Sequence, residues 1–349
     1  MGTIQPTPME SAFTGLALLC LALCFTVSPC LAEKITLSGK TMGTFFHVTL
    51  ISPGDTPPLS LETLINQRLQ MVNASMSIFS KTSEISKFNA SQADVDIPVS
   101  SDFHYVLEQS KLLFELTGGA WDGTVKPLVD LWGFGVRSEP RTLPDKETVA
   151  ALVKETGFAN IHLTGRSVRK TIPSLTLDLG SIAKGYGVDC IAGLLKEYGH
   201  TNFIVEIGGE VLTSGEKAKS MPWSVGISRP DKVFAGQTLY KIVTLRDKAM
   251  ATSGDYRNFV TINGVDYPHI INPATGYPIT SGVVSASVIS DTCTFADGLA
   301  TALMVMGPKA GIDLVNRLEG TECLLITQGK DGTLQDFMSS GFGAYLHKE

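Results

Sequence analysis

The chain carries no cluster of basic residues. Its 349 residues include 28 Lys and Arg against 34 Asp and Glu, which gives a formal net charge of −6. Because protein surfaces that bind nucleic acid depend on concentrated positive charge, this balance argues against DNA or RNA as a partner.

Two nucleotide-binding signatures are absent as well. The chain has no G-x-x-x-x-G-K-[ST] loop, and Gly185-Tyr186-Gly187 does not extend to the dinucleotide fingerprint, so neither a P-loop nor a Rossmann phosphate site is predicted.

Cysteine is scarce, and repeats and low-complexity runs are missing. Three of the 6 cysteines lie in an N-terminal apolar run, and the others, Cys190, Cys293 and Cys323, show no C-x-x-C spacing. Neither a zinc site nor a disulfide framework is therefore predicted, and these three are expected to be buried small hydrophobic residues. With 43% hydrophobic residues, 34 glycines and 17 prolines, the chain has enough apolar residues for a sizeable core and many turns.

The N-terminal apolar run, Leu16 to Leu31, ends abruptly at a polar segment. It is short for a membrane-spanning helix and is interrupted by Ser28-Pro29, so residues 1–32 are predicted to be a signal peptide or a lipoprotein signal. The residues before it lack Lys and Arg, which is atypical of such signals. We expect export to the periplasm, with either cleavage after Ala32 or lipidation at a cysteine that anchors the protein to the inner membrane. Residues 33–349 are predicted to form one domain or two intimately packed lobes.

One loop concentrates turn signals around a single histidine. The segment from Tyr267 to Pro278 reads Y-P-H-I-I-N-P-A-T-G-Y-P. Proline fixes φ, and Gly276 permits a positive φ, so the backbone around His269 is predicted to be rigid and exposed. Rigid loops are where sites are often built, although a structural turn whose histidine caps a neighbour fits the same pattern.

The segment from Leu175 to Asp189 has the pattern of a strand, a tight turn and a helix. Apolar residues alternate up to Gly180 and then follow a helical stripe. A helix beginning at Gly180 or Ser181 would direct free amide groups at an anion, with Lys184 one turn further in. A glycine-rich helix start with a solvated lysine is the alternative.

A third segment places a carboxylate and a hydroxyl four residues apart. Asp297 and Thr301 lie in a predicted helix that ends at Gly307-Pro308, so their oxygens share one face. Without a nearby His or thiolate pair, these groups suit a hard cation such as Mg²⁺. An Asp in the first turn of a helix is also favourable without any metal.

The order of helical and strand patterns predicts an α+β fold, with mixed sheets flanked by helices. Early helices and late strands do not alternate strictly, so a Rossmann-type doubly wound sheet is not expected. The predicted strands are Phe45–Ile51, Leu175–Leu179, Phe203–Ile207, Ser224–Ile227, Lys241–Leu245, Phe259–Ile262, Val283–Ile289 and Cys323–Thr327. The predicted helices are Leu59–Met76, Phe103–Thr117, Lys146–Thr156, Ser181–Tyr198, Phe295–Met306 and Lys309–Leu318.

These segments belong to an ordered series of motifs that resembles the FAD:protein FMN transferases, the ApbE-like flavin transferases once described as thiamine biosynthesis lipoproteins. No single block is specific, but many occur in register, and the resemblance covers nearly all of residues 33–349. It implies an ApbE-like, T-fold-like architecture. The blocks are Gly39–Thr44, Met76–Phe79, Ser83–Asn89, Gly118–Val125 with Pro127-Leu128, Leu177–Asp189, Val205–Glu210, Ala251–Arg257, the His269 loop and Ala296–Thr301.

The resemblance also implies roles for particular positions. A backbone carbonyl at Ser181 would join Asp297 and Thr301 around Mg²⁺, and His269 would activate or orient the acceptor hydroxyl. The positions implied to contact FAD are Met42, Phe79, Ala120, Trp121, Asp122, Asp178, Lys184, Thr252, Ser253, Gly254 and Ile271.

Three positions depart from the family pattern. Phe79 stands where relatives often have Tyr, so a hydroxyl contact is lost while stacking is retained. Asn272 replaces the Asp of the common H-I-I-D-P loop, which removes a charge near His269. Lys184 stands where some relatives are acidic, so its contact with FAD would be to phosphate rather than ribose.

The reaction implied by the resemblance is Mg²⁺-dependent transfer of FMN from FAD to a threonine or serine hydroxyl of a partner protein, with AMP leaving. The partner would carry a D-x-x-[ST]-[AG]-T motif and would be an electron-transfer subunit; this chain contains no such motif. Two alternatives remain open. One is a Mg²⁺-dependent FAD pyrophosphatase in which water replaces the hydroxyl. The other is a non-enzymatic exported flavin-binding protein, which would not need Asp297 and Thr301.

Overall fold

The computed structural model describes residues 1–3, 33–52, 58–135, 142–230, 238–255 and 258–347. The chain divides into two units, Met1–Leu31 and Ala32–Glu349, and the second unit contains all of the secondary structure described below. Apart from residues 1–3, the predicted signal segment lies outside the described residues. Its assignment therefore stays a prediction.

The described residues form fifteen strands and seven α-helices. The strands are β1 (Glu33–Thr41), β2 (Thr44–Ser52), β3 (Ile97–Pro98), β4 (Ile161–Thr164), β5 (Ser167–Lys170), β6 (Phe203–Ile207), β7 (Glu210–Ser214), β8 (Trp223–Ser228), β9 (Leu239–Leu245), β10 (Ala249–Gly254), β11 (Phe259–Ile262), β12 (Val265–Pro268), β13 (Val283–Ser290), β14 (Glu322–Gln328) and β15 (Leu334–Met338). The helices are α1 (Pro58–Met76), α2 (Glu84–Asn89), α3 (Ser101–Leu116), α4 (Lys126–Leu131), α5 (Lys146–Lys154), α6 (Ala183–Glu197) and α7 (Cys293–Val315).

One eight-stranded sheet organises the fold, and its order is β1-β2-β6-β7-β10-β13-β14-β15. Every pairing within it is antiparallel. Alternate side chains of β2 and β6 are buried; Val48 of β2, for example, lies opposite Val205 of β6, and both are fully buried. An antiparallel sheet does not contain the parallel β-α-β units of a doubly wound fold.

Helices α6 and α7 pack against each other and against this sheet. Among the described residues, α7 alone is long and apolar enough to cross a membrane by length and composition, but 56% of its most apolar window is buried inside the protein. Its helical geometry breaks at Gly307, where φ is 78°, and Pro308 follows. The predicted helix stop at this pair is confirmed, and α7 is the central helix of the core.

One predicted strand, Leu175–Leu179, was wrong. Its alternate leucines are buried, as the pattern predicts, but the segment pairs with no strand. Asn89 binds both backbone groups of Leu177: its Nδ2 donates to the carbonyl at 2.9 Å and its Oδ1 accepts from the amide at 2.7 Å. The buried Lys170 Nζ donates to the Leu175 carbonyl at 2.8 Å. Side chains thus satisfy backbone groups that a strand would pair with a neighbour.

Replacing Asn89 by alanine is expected to lower the free energy of unfolding by about 2–4 kcal/mol, because two buried backbone groups of Leu177 lose their partners together. Urea unfolding would measure the loss. The matched control is Asn66→Ala, which removes one hydrogen bond on the surface of α1 and is expected to cost about 0.5 kcal/mol or less. Equal losses in the two variants would contradict this account of the segment.

Candidate active site

A cleft of about 420 Å³ opens beside the first turn of α6 and along Asp297, Thr301 and Val305 of α7, at the end of β10 and next to the loop that follows β12. All of the predicted site residues except Met42 and Phe79 line it. These are Ala120, Trp121, Asp122, Asp178, Ser181, Lys184, Thr252, Ser253, Gly254, His269, Ile271, Asp297 and Thr301.

Three charged side chains of this lining meet each other. Lys184 Nζ lies 3.3 Å from Glu210 Oε1 and 3.5 Å from Asp297 Oδ1, and both carboxylates are buried. Burial raises the pKa of Glu210 to about 8, although Lys184 opposes the rise. Burial lowers the pKa of Lys184, but the two carboxylates together outweigh it and leave that pKa well above its ordinary value. Lys184 is therefore an ammonium ion at neutral pH.

The carboxylate of Asp297 is held in place from α6. Gly185 lies in the first turn of α6, where backbone amides have no acceptor within the helix, and its amide donates to Asp297 Oδ2 at 2.9 Å. The two helices approach closely enough that a Cβ at Gly185 would lie 2.3 Å from the Cys293 carbonyl oxygen. The close approach places Asp297 over the start of α6.

The oxygen groups near Asp297 fit a hard cation. Thr301 Oγ1 shares a hydrogen bond of 2.8 Å with Ser253 Oγ, and Glu210 Oε2 is buried without a hydrogen-bond partner. No three His, Cys, Asp or Glu side chains group as a metal site within the described ranges. Of the predicted ligands Ser181, Asp297 and Thr301, only Asp297 belongs to these four residue types. A cation here would therefore also depend on hydroxyl and carbonyl oxygens, which are ligands that Mg²⁺ accepts.

The turns before α4 and α6 form another part of the lining, and their acidic side chains bind their own backbone. Asp122 Oδ1 accepts from the amide of Thr124 at 2.8 Å, and Asp178 Oδ1 accepts from the amide of Gly180 at 2.8 Å. Burial raises the pKa of both carboxyl groups. Trp121 Nε1 donates to Ser181 Oγ at 3.1 Å and ties the two turns together. These contacts fix the shape of the wall.

His269 is oriented by a backbone carbonyl. The Asn258 carbonyl lies 3.0 Å from His269 Nδ1 and also accepts the His269 amide at 3.1 Å. A carbonyl can only accept, so Nδ1 carries the proton and Nε2 of the neutral ring is left as an acceptor. Burial, together with the positive charge of Lys184, lowers the pKa of the imidazole below 6.5 despite the hydrogen bond to Asn258.

The loop of His269 is more buried than predicted. Trp132 Nε1 donates to the Gly276 carbonyl at 2.8 Å, and a Cβ at Gly276, where φ is +74°, would lie 2.6 Å from Val149 Cγ1. Packing against α4 and α5 thus buries the turn, and His269 itself is half-buried. Asn272 Oδ1 accepts from the Ala274 amide at 2.9 Å, so this departure from the family acts on the turn while Asn258 holds the imidazole.

Met42 and Phe79 lie outside the lining of the cleft. Met42 has a positive φ of 48° and packs against α6, where a Cβ at Gly187 would lie 2.8 Å from Met42 Cε. Phe79 is 77% exposed. Their predicted contacts with FAD stay predictions.

Sequence reasoning assigned no role to Glu210 and Asn258, which contact Lys184 and His269 in the cleft. Glu210 follows a Gly-Gly turn in one of the family-like blocks, and an acidic residue between apolar neighbours was the available signal. Asn258 acts through its backbone carbonyl, so its side chain offered no signal.

Comparison with known proteins identifies the family. The model of the ApbE family matches residues 42–325. The chain is 41% identical over 318 residues to an FAD:protein FMN transferase from Vibrio cholerae, covering 91% of this chain and 94% of that protein. It is 36% identical over 316 residues to the protein of the same name from Haemophilus influenzae, covering 88% and 91% respectively.

Solved structures agree with the fold described above. The flavin transferase ApbE from Vibrio cholerae superposes with a TM-score of 0.82 at 40% identity, covering 90% of this chain and all of that one (100%). The predicted α+β, non-Rossmann, ApbE-like fold is confirmed. With a family match across most of its length and relatives well above 30% identity, the chain belongs to the ApbE family.

Proposed function

We propose that this protein is an FAD:protein FMN transferase that moves FMN from FAD to a threonine or serine hydroxyl of a partner protein, depends on Mg²⁺ and releases AMP. Its class as a transferase follows from the curated relatives. The observation that carries the proposal is the meeting of three distant segments in one cleft: the His269 loop, the Lys184 turn and the Asp297–Thr301 helix.

The cleft has room and chemistry for a flavin nucleotide. Apolar side chains of Val125, Val129, Phe134 and Ile271 line it together with the charged and hydroxyl groups. A planar ring system suits the apolar part, while Lys184 and the turn at Gly180 offer positive charge and amide groups for phosphates. This separation of apolar and charged lining matches FAD, which has an apolar ring system at one end and a doubly charged diphosphate in its middle.

In the proposed reaction the acceptor hydroxyl oxygen bonds to the FMN-side phosphorus of FAD. The bond from that phosphorus to the bridging oxygen breaks, and AMP leaves with the bridging oxygen. The proton of the acceptor hydroxyl passes to His269 Nε2, which the contact of Nδ1 with Asn258 keeps unprotonated. Lys184 stabilises negative charge on the phosphoryl oxygens.

Asp297, Thr301 and the Ser181 carbonyl would hold Mg²⁺. When bound, the metal ion would neutralise charge on the diphosphate. The protein's own part is to fix these oxygens: the Gly185 amide orients the Asp297 carboxylate, and Ser253 orients the Thr301 hydroxyl.

His269→Ala is expected to lower kcat for transfer by about 10²- to 10⁴-fold, the usual range for loss of a general base, while FAD still binds. In the wild-type protein kcat/KM should decline as pH falls through the pKa of His269, because the neutral imidazole is the active form, and the decline should come at lower pH than for an ordinary histidine because that pKa is lowered. Rates of acceptor flavinylation from pH 5 to 8 would measure both effects.

The matched control is His162→Ala, which changes an exposed histidine on β4 and should leave the rate and the acid limb unchanged. If the decline of kcat/KM at low pH persisted in His269→Ala, a group other than His269 would be responsible for it. Transfer at the wild-type rate in that variant would remove the role of His269 as a base.

Intact mass spectrometry tests the reaction itself. Purified protein is incubated with FAD, with and without Mg²⁺, beside an acceptor domain that carries D-x-x-[ST]-[AG]-T. A Mg²⁺-dependent mass gain of one FMN on the acceptor supports transfer. Free FMN and AMP without an adduct would support hydrolysis instead. An electron-transfer subunit as the natural acceptor, and export to the periplasm with or without a lipid anchor, are further parts of the proposal that rest on sequence alone.

A further inference from the structure

Glu210 is a buried acid with half of its carboxylate unsatisfied. It begins β7, its side chain is 4% exposed, and it lines the cleft. Oε1 faces the Lys184 ammonium at 3.3 Å, whereas the buried Oε2 has no hydrogen-bond partner. A buried carboxylate oxygen without a partner costs free energy, so such an atom calls for a ligand.

Lys184 Nζ fills the position between two carboxylates only loosely. Its distances of 3.3 Å to Glu210 and 3.5 Å to Asp297 exceed the roughly 2.7–2.9 Å of a charge-assisted hydrogen bond. One ammonium faces two buried acidic side chains there. These long distances and the unpartnered Oε2 of Glu210 indicate a cation position that a divalent ion would fill better.

We infer that Glu210 and Asp297 form a single cation position, which the Lys184 ammonium occupies in the metal-free protein and a divalent metal ion takes over when it binds. Displaced from the carboxylates, the ammonium moves within the cleft, where its side chain is already 28% exposed, and becomes free to bind phosphate. The inference rests on the proposed function for the identity of the phosphate ligand. Metal and FAD then strengthen each other's binding, because each favours the displaced lysine.

Two variants separate the parts of this inference when metal affinity is measured by calorimetry with Mg²⁺ and by electron paramagnetic resonance with Mn²⁺, without FAD. Glu210→Gln is expected to bind metal about 10- to 100-fold more weakly, the effect of losing a charged oxygen beside a metal. Lys184→Met is expected to bind metal about 5- to 150-fold more tightly, because a competing cation is gone.

Glu206→Gln is the matched control. Glu206 lies on the neighbouring strand of the same hairpin, where it binds His47 at 2.7 Å, and this variant should bind metal within about twofold of wild type. Unchanged affinity in Glu210→Gln would overturn the role of Glu210. Unchanged or weaker affinity in Lys184→Met would overturn the displacement, as would the absence of metal binding to the wild-type protein.

Lysine labelling of the unmodified protein needs no variant to fold. Acetylation of Lys184 by an N-hydroxysuccinimide ester, followed by peptide mass spectrometry, is expected to rise severalfold on adding Mg²⁺, with the exposed Lys196 as the internal reference. Protection or no change at Lys184 would overturn the inference. Neither FAD nor an acceptor is present in these measurements. They can therefore contradict the displacement of Lys184 while FMN transfer is observed, or support the displacement while no FMN transfer is observed.

Discussion

Asp297→Asn is expected to lower the rate of FMN transfer by about a thousandfold while the fold persists. A metal ion contributes several kcal/mol of transition-state stabilisation to phosphoryl chemistry, and each 1.36 kcal/mol is about tenfold in rate. Asparagine keeps an oxygen that can accept the Gly185 amide, so the contact between α6 and α7 is retained. What is lost is the negative charge opposite Lys184 and beside Thr301.

The measurement is a time course of acceptor flavinylation at saturating FAD and Mg²⁺, with thermal unfolding to verify the fold. Asp313→Asn is the control, since it makes the same change at an exposed position of the same helix and should transfer at the wild-type rate. If Asp297→Asn retained full activity, the metal assignment would fail. If it bound Mg²⁺ normally but transferred poorly, the carboxylate would instead act through Lys184.

Gly185→Ala is expected to lower the free energy of unfolding by about 3 kcal/mol, at the upper end of the usual cost of overpacking. The added Cβ would lie 2.3 Å from the Cys293 carbonyl oxygen and 2.8 Å from Asp297 Cβ, which belong to α7 in the centre of the core. Backbone cannot rotate aside as a flexible side chain does, so the two helices must separate. Separation would carry Asp297 away from the Gly185 amide and weaken Mg²⁺ binding as well.

Gly193→Ala on the same helix provides the control. A Cβ there meets nothing within 4 Å, so the substitution should raise stability by about 0.5–1 kcal/mol through helix propensity alone. Urea unfolding of both variants would measure a difference of opposite sign. A stabilising effect of Gly185→Ala would show that the helices can yield without cost, contrary to the close packing described.

Local sequence patterns predicted most of the helices but only about half of the strands, and they missed β7 and β10 of the central sheet. The successes depend on local forces. The break at Gly307-Pro308 follows from the backbone limits of those two residues, and the buried alternation of β2 and β6 follows from strand geometry. The same alternation misled at Leu175–Leu179, since a sequence pattern reports burial and does not report what satisfies the backbone.

The sequence by itself determined which chemical groups are available to the site: the His269 loop, the Asp297–Thr301 spacing and the glycine-rich start of α6 are each contained within a few residues. Whether those groups share a cleft was decided by the tertiary structure. Segments far apart in the chain must meet for Lys184 to lie between Glu210 and Asp297, or for Ser253 to bind Thr301. Such contacts depend on how helices and sheet pack, and packing is a property of the whole core that no local pattern contains.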